Sequence, residues 1–233
     1  MGETINMSHT TTYLSPLIDA MTVHANPTLA VPMAKYMRDL FPFLGIKTPE
    51  RTAIVSDFLK VAALPPAQDL TDIVQQLWEM PQREYQYVAI SLVEKCQRKR
   101  QTDASLTDLL QYMISHRSWW DSVDSIAHLV GNQWLLYPEQ LDKMMPSWVE
   151  SDNMWLNRVS IIYQLHYKQK TNAQILFDNI RVHAQSKEFF IQKAIGWALR
   201  QYAYIAPEAV RQFVDSCPLS ALSVREALKH IGR

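Results

Sequence analysis

The sequence predicts an all-α protein, folded as a right-handed solenoid of about six HEAT-like helix-pair repeats. Three observations lead there. The 233 residues include only 5 Gly, too few for a protein of strands and tight turns. Apolar residues recur at helical spacing, and no stretch reads convincingly as a strand. Short stretches of similar character also return along the chain. They are headed by Thr52, Tyr87, Asp124, Arg158, Lys193 and Glu226, at successive spacings of 35, 37, 34, 35 and 33 residues. Each is followed by small residues mixed with aliphatics, which lets helices approach closely. A helix-pair solenoid requires such a period, whereas a generic helical bundle would match it only by coincidence.

Each element has its own signals. Residues 1–13 are polar and Thr-rich and read as a disordered or frayed tail before a single domain over 14–233. Helical pattern begins over Leu14–Met21 and resumes over Thr28–Leu40, with Pro32 placed for a first turn. Gly45 reads as a helix stop. Thr48-Pro49-Glu50 reads as a start, with a cap, a proline at the first position and an acid in the first turn. Ile54, Val55, Phe58, Leu59 and Ala62 continue that helix until Pro65-Pro66. Helices are then expected over Leu70–Met80, Arg83–Lys95 and Leu106–Ile114. Ser118 and Asp121 make a capping box, so the next helix starts at Trp119. Tyr137-Pro138 opens a helix towards Val149, kinked or broken at Pro146. Asp152 caps one reaching about Tyr167. Asn172–Ala184 and Ser186–Tyr204 follow, Ala206-Pro207 opens another, and Ser223 with Glu226 caps the last.

Composition narrows the chemistry. The 23 Lys and Arg balance 23 Asp and Glu, so whole-molecule charge announces no polyanionic partner. Cys96 and Cys217 are the only cysteines. They form neither a disulfide framework nor a zinc motif, which suits a reducing cytoplasm. No apolar run is long enough to span a bilayer, and the first residues lack the pattern of a signal peptide. The 7 His are scattered, with none at metal-ligand spacing. Nucleophile-elbow, zincin and Walker motifs are absent, so no cofactor and no metal is expected.

The repeat gives the remaining residues a shared surface. Equivalent positions of a solenoid line up, which sets Thr52, Tyr87, Asp124, Arg158 and Lys193 in a row. Trp120 lies one turn before Asp124, and Trp197 one turn beyond Lys193. Spacing alone leaves two readings of Trp120 and Asp124: a packed indole beside a solvated acid, or two groups that meet a ligand. Lys95, Arg98, Lys99, Arg100 and Arg117 precede or flank this stretch. Lys168, Lys170, Lys187, Lys193, Arg200, Arg225 and Lys229 follow it. Any such run can be a solvated face. Around an acid and two indoles in a groove, the cations fit a polyanion held against a reactive centre.

Four stretches in order carry a resemblance. They are Phe43-Leu44-Gly45-Ile46-Lys47-Thr48-Pro49, Ser118-Trp119-Trp120-Asp121-Ser122-Val123-Asp124, the run from Ser151 to Arg158, and the run from Ser186 to Trp197. From about Pro42 to its end the chain resembles the AlkD-like alkylpurine DNA glycosylases, a HEAT-like repeat family. The resemblance implies a concave DNA-binding face, duplex DNA containing alkylated purines as partner, and a monomer in the cytoplasm. It assigns Asp124 as the catalytic carboxylate, with Trp120 and Trp197 lining the cleft around the lesion. Arg158 is assigned to the DNA backbone, and Lys47, Thr48 and Arg51 fall where the family touches the opposite or flanking backbone; Lys193 and Arg200, from the basic set above, are expected to add DNA contacts. The sequence departs from the family pattern at Lys47, Thr52 and His166.

The implied chemistry is economical in groups. A purine alkylated at N3 or N7 is cationic and already a good leaving group, so no strong general acid is needed. A carboxylate facing the anomeric carbon stabilises the oxocarbenium-like sugar and orients water, and indole faces attract positive charge. Selectivity for 3-methyladenine and 7-methylguanine is expected. The competing reading is a non-catalytic HEAT-repeat scaffold that binds DNA or protein.

Overall fold

The computed structural model describes residues 4–231. Among these the chain is all-α, with thirteen α-helices, one short 3-10 turn and no strand. The helices are α1 (Thr4–Val23), α2 (Pro27–Tyr36), α3 (Thr48–Ala62), α4 (Ala67–Glu79), α5 (Arg83–Arg98), α6 (Leu106–Ser115) and α7 (Trp120–Leu136). They continue as α8 (Pro138–Val149), α9 (Met154–Ile162), α10 (Ala173–His183), α11 (Phe189–Ala203), α12 (Pro207–Ser216) and α13 (Ala221–Ala227). No helix of the described residues is long and apolar enough to cross a membrane.

The repeat read from the sequence has a structural counterpart. All six anchor positions fall on odd-numbered helices, α3 to α13. Thr52, Tyr87, Asp124, Arg158 and Lys193 are each the fifth residue of their helix. A constant offset from the helix start means that the period reflects one structural unit returning, not chance spacing.

The chain divides into two compact units, residues 1–103 and 104–233. In the first unit α1 packs on α3 and α4, and α5 packs on both of those helices. The expected frayed tail is helical from Thr4 onward. Its reason is a stripe that begins inside the tail: Thr10, Leu14, Leu17 and Met21 are buried at helical spacing. Tyr13 adds an edge-on contact to Phe58 and donates its hydroxyl to the Ala63 carbonyl at 2.8 Å.

In the second unit α7, α9, α11 and α13 form a series in which each packs on the next. Glycines permit the closest approaches. A Cβ at Gly131 on α7 would meet the Tyr163 carbonyl oxygen at 2.3 Å, and one at Gly196 on α11 would meet the Glu226 Cβ on α13 at 2.5 Å. Trp78 and Trp148 are among the largest fully buried side chains. Burying such a group contributes on the order of 2–3 kcal/mol by area.

Several helix ends differ from the sequence reading, for local reasons. Ser118 does not cap α7; its hydroxyl donates back to the Ile114 carbonyl at 2.5 Å, and α7 starts one residue late at Trp120. Asn153, not Asp152, caps α9 through the Trp155 amide, and α9 ends at Ile162 rather than near Tyr167. Ser220, not Ser223, caps α13. Helix α2 stops at Tyr36, before the positive φ angles of Arg38 and Asp39. Pro146 does not break α8, which runs through it.

Candidate active site

The site of the second unit is built from three helix entries. The stretch before α9 is fastened by Asn157, whose side-chain amide donates to the carbonyls of Trp148, Val149 and Ser151 at 2.9–3.1 Å. Ser151 accepts the Asn153 amide, and Asn153 in turn caps the helix. The stretch before α11 is fastened by Gln192, which donates to the Ser186 carbonyl at 2.9 Å. At these entries Trp119, Trp155 and Phe190 pack together, with ring centroids 5.1–5.8 Å apart. This aromatic cluster sets the spacing of the first turns of α7, α9 and α11.

One turn further in, Arg158 and Asp124 meet. Arg158 Nε donates to Asp124 Oδ1 at 2.7 Å and its second terminal nitrogen to Oδ2 at 2.9 Å, a bidentate pair. The third bond of the guanidinium runs to the Phe190 carbonyl at 2.5 Å, on the first turn of α11. The Phe190 ring lies 5.9 Å from the same guanidinium. One side chain from α9 thereby ties a carboxylate on α7 to the start of α11. The Arg158 side chain is only 5% exposed, but that of Asp124 is 20% exposed. The carboxylate therefore reaches solvent while its partner is enclosed.

Trp120 precedes Asp124 by four residues on α7 and is half-buried, as is Trp197 on α11. The sequence expected Arg158 at the DNA backbone. In the structure three of its five N–H donors are engaged within the protein.

Two further expected DNA contacts are also engaged. Lys193 Nζ lies 3.1 Å from Glu226 Oε1, and an Arg200 terminal nitrogen lies 2.7 Å from Glu226 Oε2. The hydrogen bond from Lys193 outweighs partial burial and holds the Glu226 carboxyl below the ordinary range. The sequence reading missed Glu226 as a partner because it took that residue for a capping group. Its place at the sixth anchor, after Lys193 at the fifth, was the available signal.

In the first unit Lys47 and Thr48 are exposed at the start of α3. The Thr48 hydroxyl accepts from Arg51 at 3.3 Å, and the Arg51 guanidinium lies 4.6 Å above the Tyr87 ring on α5. The loop that delivers them depends on a residue with no assigned role, Glu84. Its carboxylate is fully buried and accepts the amides of Leu44, Gly45 and Ile46 at 2.9, 2.8 and 3.1 Å. Gly45 sits at φ +89, where a Cβ would fall 2.0 Å from the Asn26 carbonyl oxygen.

A family model described as DNA alkylation repair enzyme matches residues 17–231. A solved structure described as a predicted DNA alkylation repair enzyme from Enterococcus faecalis is similar at 34% identity. The match covers 90% of this chain and 97% of that chain, with a TM-score of 0.82. A search of curated proteins gave no match.

Proposed function

Because the chain belongs to the DNA alkylation repair enzyme family, we propose that it is a monofunctional DNA glycosylase acting on cationic alkylated purines in duplex DNA. The role in DNA repair comes with the family. The reaction and the lesion are our reading of the site. The observation that carries it is the Asp124–Arg158 pair: an acid held at both oxygens, with its outer side open to solvent.

A carboxylate offers about four acceptor positions. Arg158 occupies two, and the rest remain for a sugar and a water molecule. Fixed negative charge beside the anomeric carbon stabilises positive charge as the C1′–N bond breaks, with the electron pair leaving on the purine. Water then adds at C1′ and gives up a proton to Asp124 or to solvent. Trp120, one turn before Asp124, and Trp197 on α11 offer indole faces to the developing cation. An alkylated purine departs as a neutral base, so the site needs no strong acid. A neutral base such as uracil or 8-oxoguanine gains too little from this arrangement to be excised.

Arg158 acts in this scheme as a positioning residue first, since its donors hold Asp124 and α11. Lys47, Thr48 and Arg51 in the first unit, and Lys193 and Arg200 in the second, are proposed DNA contacts. The test is release of 7-methylguanine and 3-methyladenine from methylated duplex, compared with Asp124→Asn. Release by the wild type and its loss in the variant are expected. Binding of methylated duplex without release in either protein would instead identify a scaffold.

A further inference from the structure

We propose that Glu226 is a built-in competitor for backbone phosphate, holding Lys193 and Arg200 neutralised until DNA takes its place. The inference rests on the DNA-binding reading above. Lys193, Gly196, Trp197 and Arg200 follow one another at helical spacing along one side of α11. Glu226 comes from α13 and lies across the middle of that side. Its Cβ is where a side chain at Gly196 would have to go.

From there its two oxygens diverge, one to each cation, at 3.1 and 2.7 Å. Two cations a helical turn or two apart, bridged by an anion with two oxygens, form the arrangement that a phosphate diester would complete with its two free oxygens. The cluster is reachable from solvent: Lys193 is 38%, Arg200 21% and Glu226 18% exposed. Lys229 adds a further positive charge near the same carboxylate. A phosphate that displaces Glu226 meets the same two cations, so DNA binding exchanges one anion for another and must compete with the carboxylate. Gly196 keeps α13 close enough for Glu226 to reach both partners, while Ser223 separately fastens α13 by donating to the Gln192 carbonyl at 2.9 Å. Helix α13 therefore stays docked when the Glu226 charge is removed.

A phosphate competitor suppresses binding to undamaged DNA, because most phosphates then meet a cation pair that is already satisfied. The experiment is fluorescence anisotropy with an unmodified duplex across a salt series, for wild type, Glu226→Gln and Glu226→Asp. Glu226→Gln is expected to bind about three- to tenfold more tightly at physiological salt and to steepen the salt slope by about 0.9 per released cation. Glu226→Asp, with the charge kept, is expected to bind like the wild type. Adding Lys193→Gln and Arg200→Gln to Glu226→Gln should abolish the gain.

A role limited to stapling α13 predicts the opposite pattern: a lower melting temperature for Glu226→Gln with no gain in affinity and an unchanged slope. That result overturns the proposal while leaving the DNA reading in place. A wild-type chain that binds no duplex at any salt concentration overturns both.

Discussion

Glu84 in the first unit and Asp124 in the second are both carboxylates near the start of odd-numbered helices, yet they are satisfied in opposite ways. Glu84 accepts three backbone amides and has no exposure. Asp124 accepts one side chain and keeps a fifth of its surface open. Backbone donors cannot withdraw without undoing the 44–46 connection, and they fill most of the acceptor positions of Glu84. That acid can only hold structure. Asp124 is fixed by a neighbour on another helix and retains free lone pairs, so it can hold structure and still meet a substrate.

The comparison breaks first at Glu84. Glu84→Ala leaves three amides, two of them buried, without acceptors, and a loss of about 3 kcal/mol or more in chemical denaturation is expected. Because the 44–46 connection delivers Lys47, Thr48 and Arg51, duplex binding should weaken, while base release per folded molecule at saturating duplex stays near the wild-type value. A fall in that rate matching the fall seen for Asp124 variants would make the two acids equivalent and end the contrast. Next, Asp124→Asn should reduce 7-methylguanine release by about 10²- to 10³-fold, with duplex binding within a few-fold of wild type. Near-normal release would remove Asp124 from the mechanism.

Arg158→Lys separates holding from binding. Lysine cannot grip both oxygens of Asp124 and the Phe190 carbonyl together, so release should fall about 10- to 100-fold through misplacement of the acid. The salt dependence of duplex binding should not move. In Arg158→Gln, which removes the charge, a slope reduced by about one would instead assign Arg158 to a phosphate.

Gly196→Ala is expected to cost about 1–3 kcal/mol, measured as a lower denaturation midpoint, because its Cβ meets α13 at 2.5 Å. The smallest effect concerns the two thiols, one in each unit. Burial pushes the Cys96 thiol up to about 11, whereas Cys217 is partly exposed and Arg181 offsets part of its shift. At pH 8 a disulfide reagent should modify Cys217 at once and Cys96 only as the first unit opens.

The four stretches that carry the family resemblance were legible as motifs, but most of their residues proved to be helix-entry devices. Gly45 and its neighbours wrap Glu84. Asn153 and Asn157 set the start of α9, and Ser186 and Gln192 set the start of α11. In the second unit Asp124, Arg158 and Lys193, each the fifth residue of its helix, carry the ion pairs of the candidate site. One misread entry has a plain cause. A serine is read as a cap from its identity, but its hydroxyl can equally donate to the carbonyl four residues back, as Ser118 does. Thr10 likewise reads as polar from its identity, although it is buried with Leu14, Leu17 and Met21 on α1.

By itself the sequence determined the all-α class, the period that places anchors on alternate helices, and the residue types that meet at those anchors. These are local properties: propensity, caps and spacing repeat wherever the same stretch of chain repeats. Only the tertiary structure decided which charges neutralise one another. Arg158 reaches back 34 residues to Asp124, and Glu226 reaches across to Lys193 and Arg200. Such pairings depend on how far apart two helices pack and how much water remains between them, and no single stretch of sequence records either quantity.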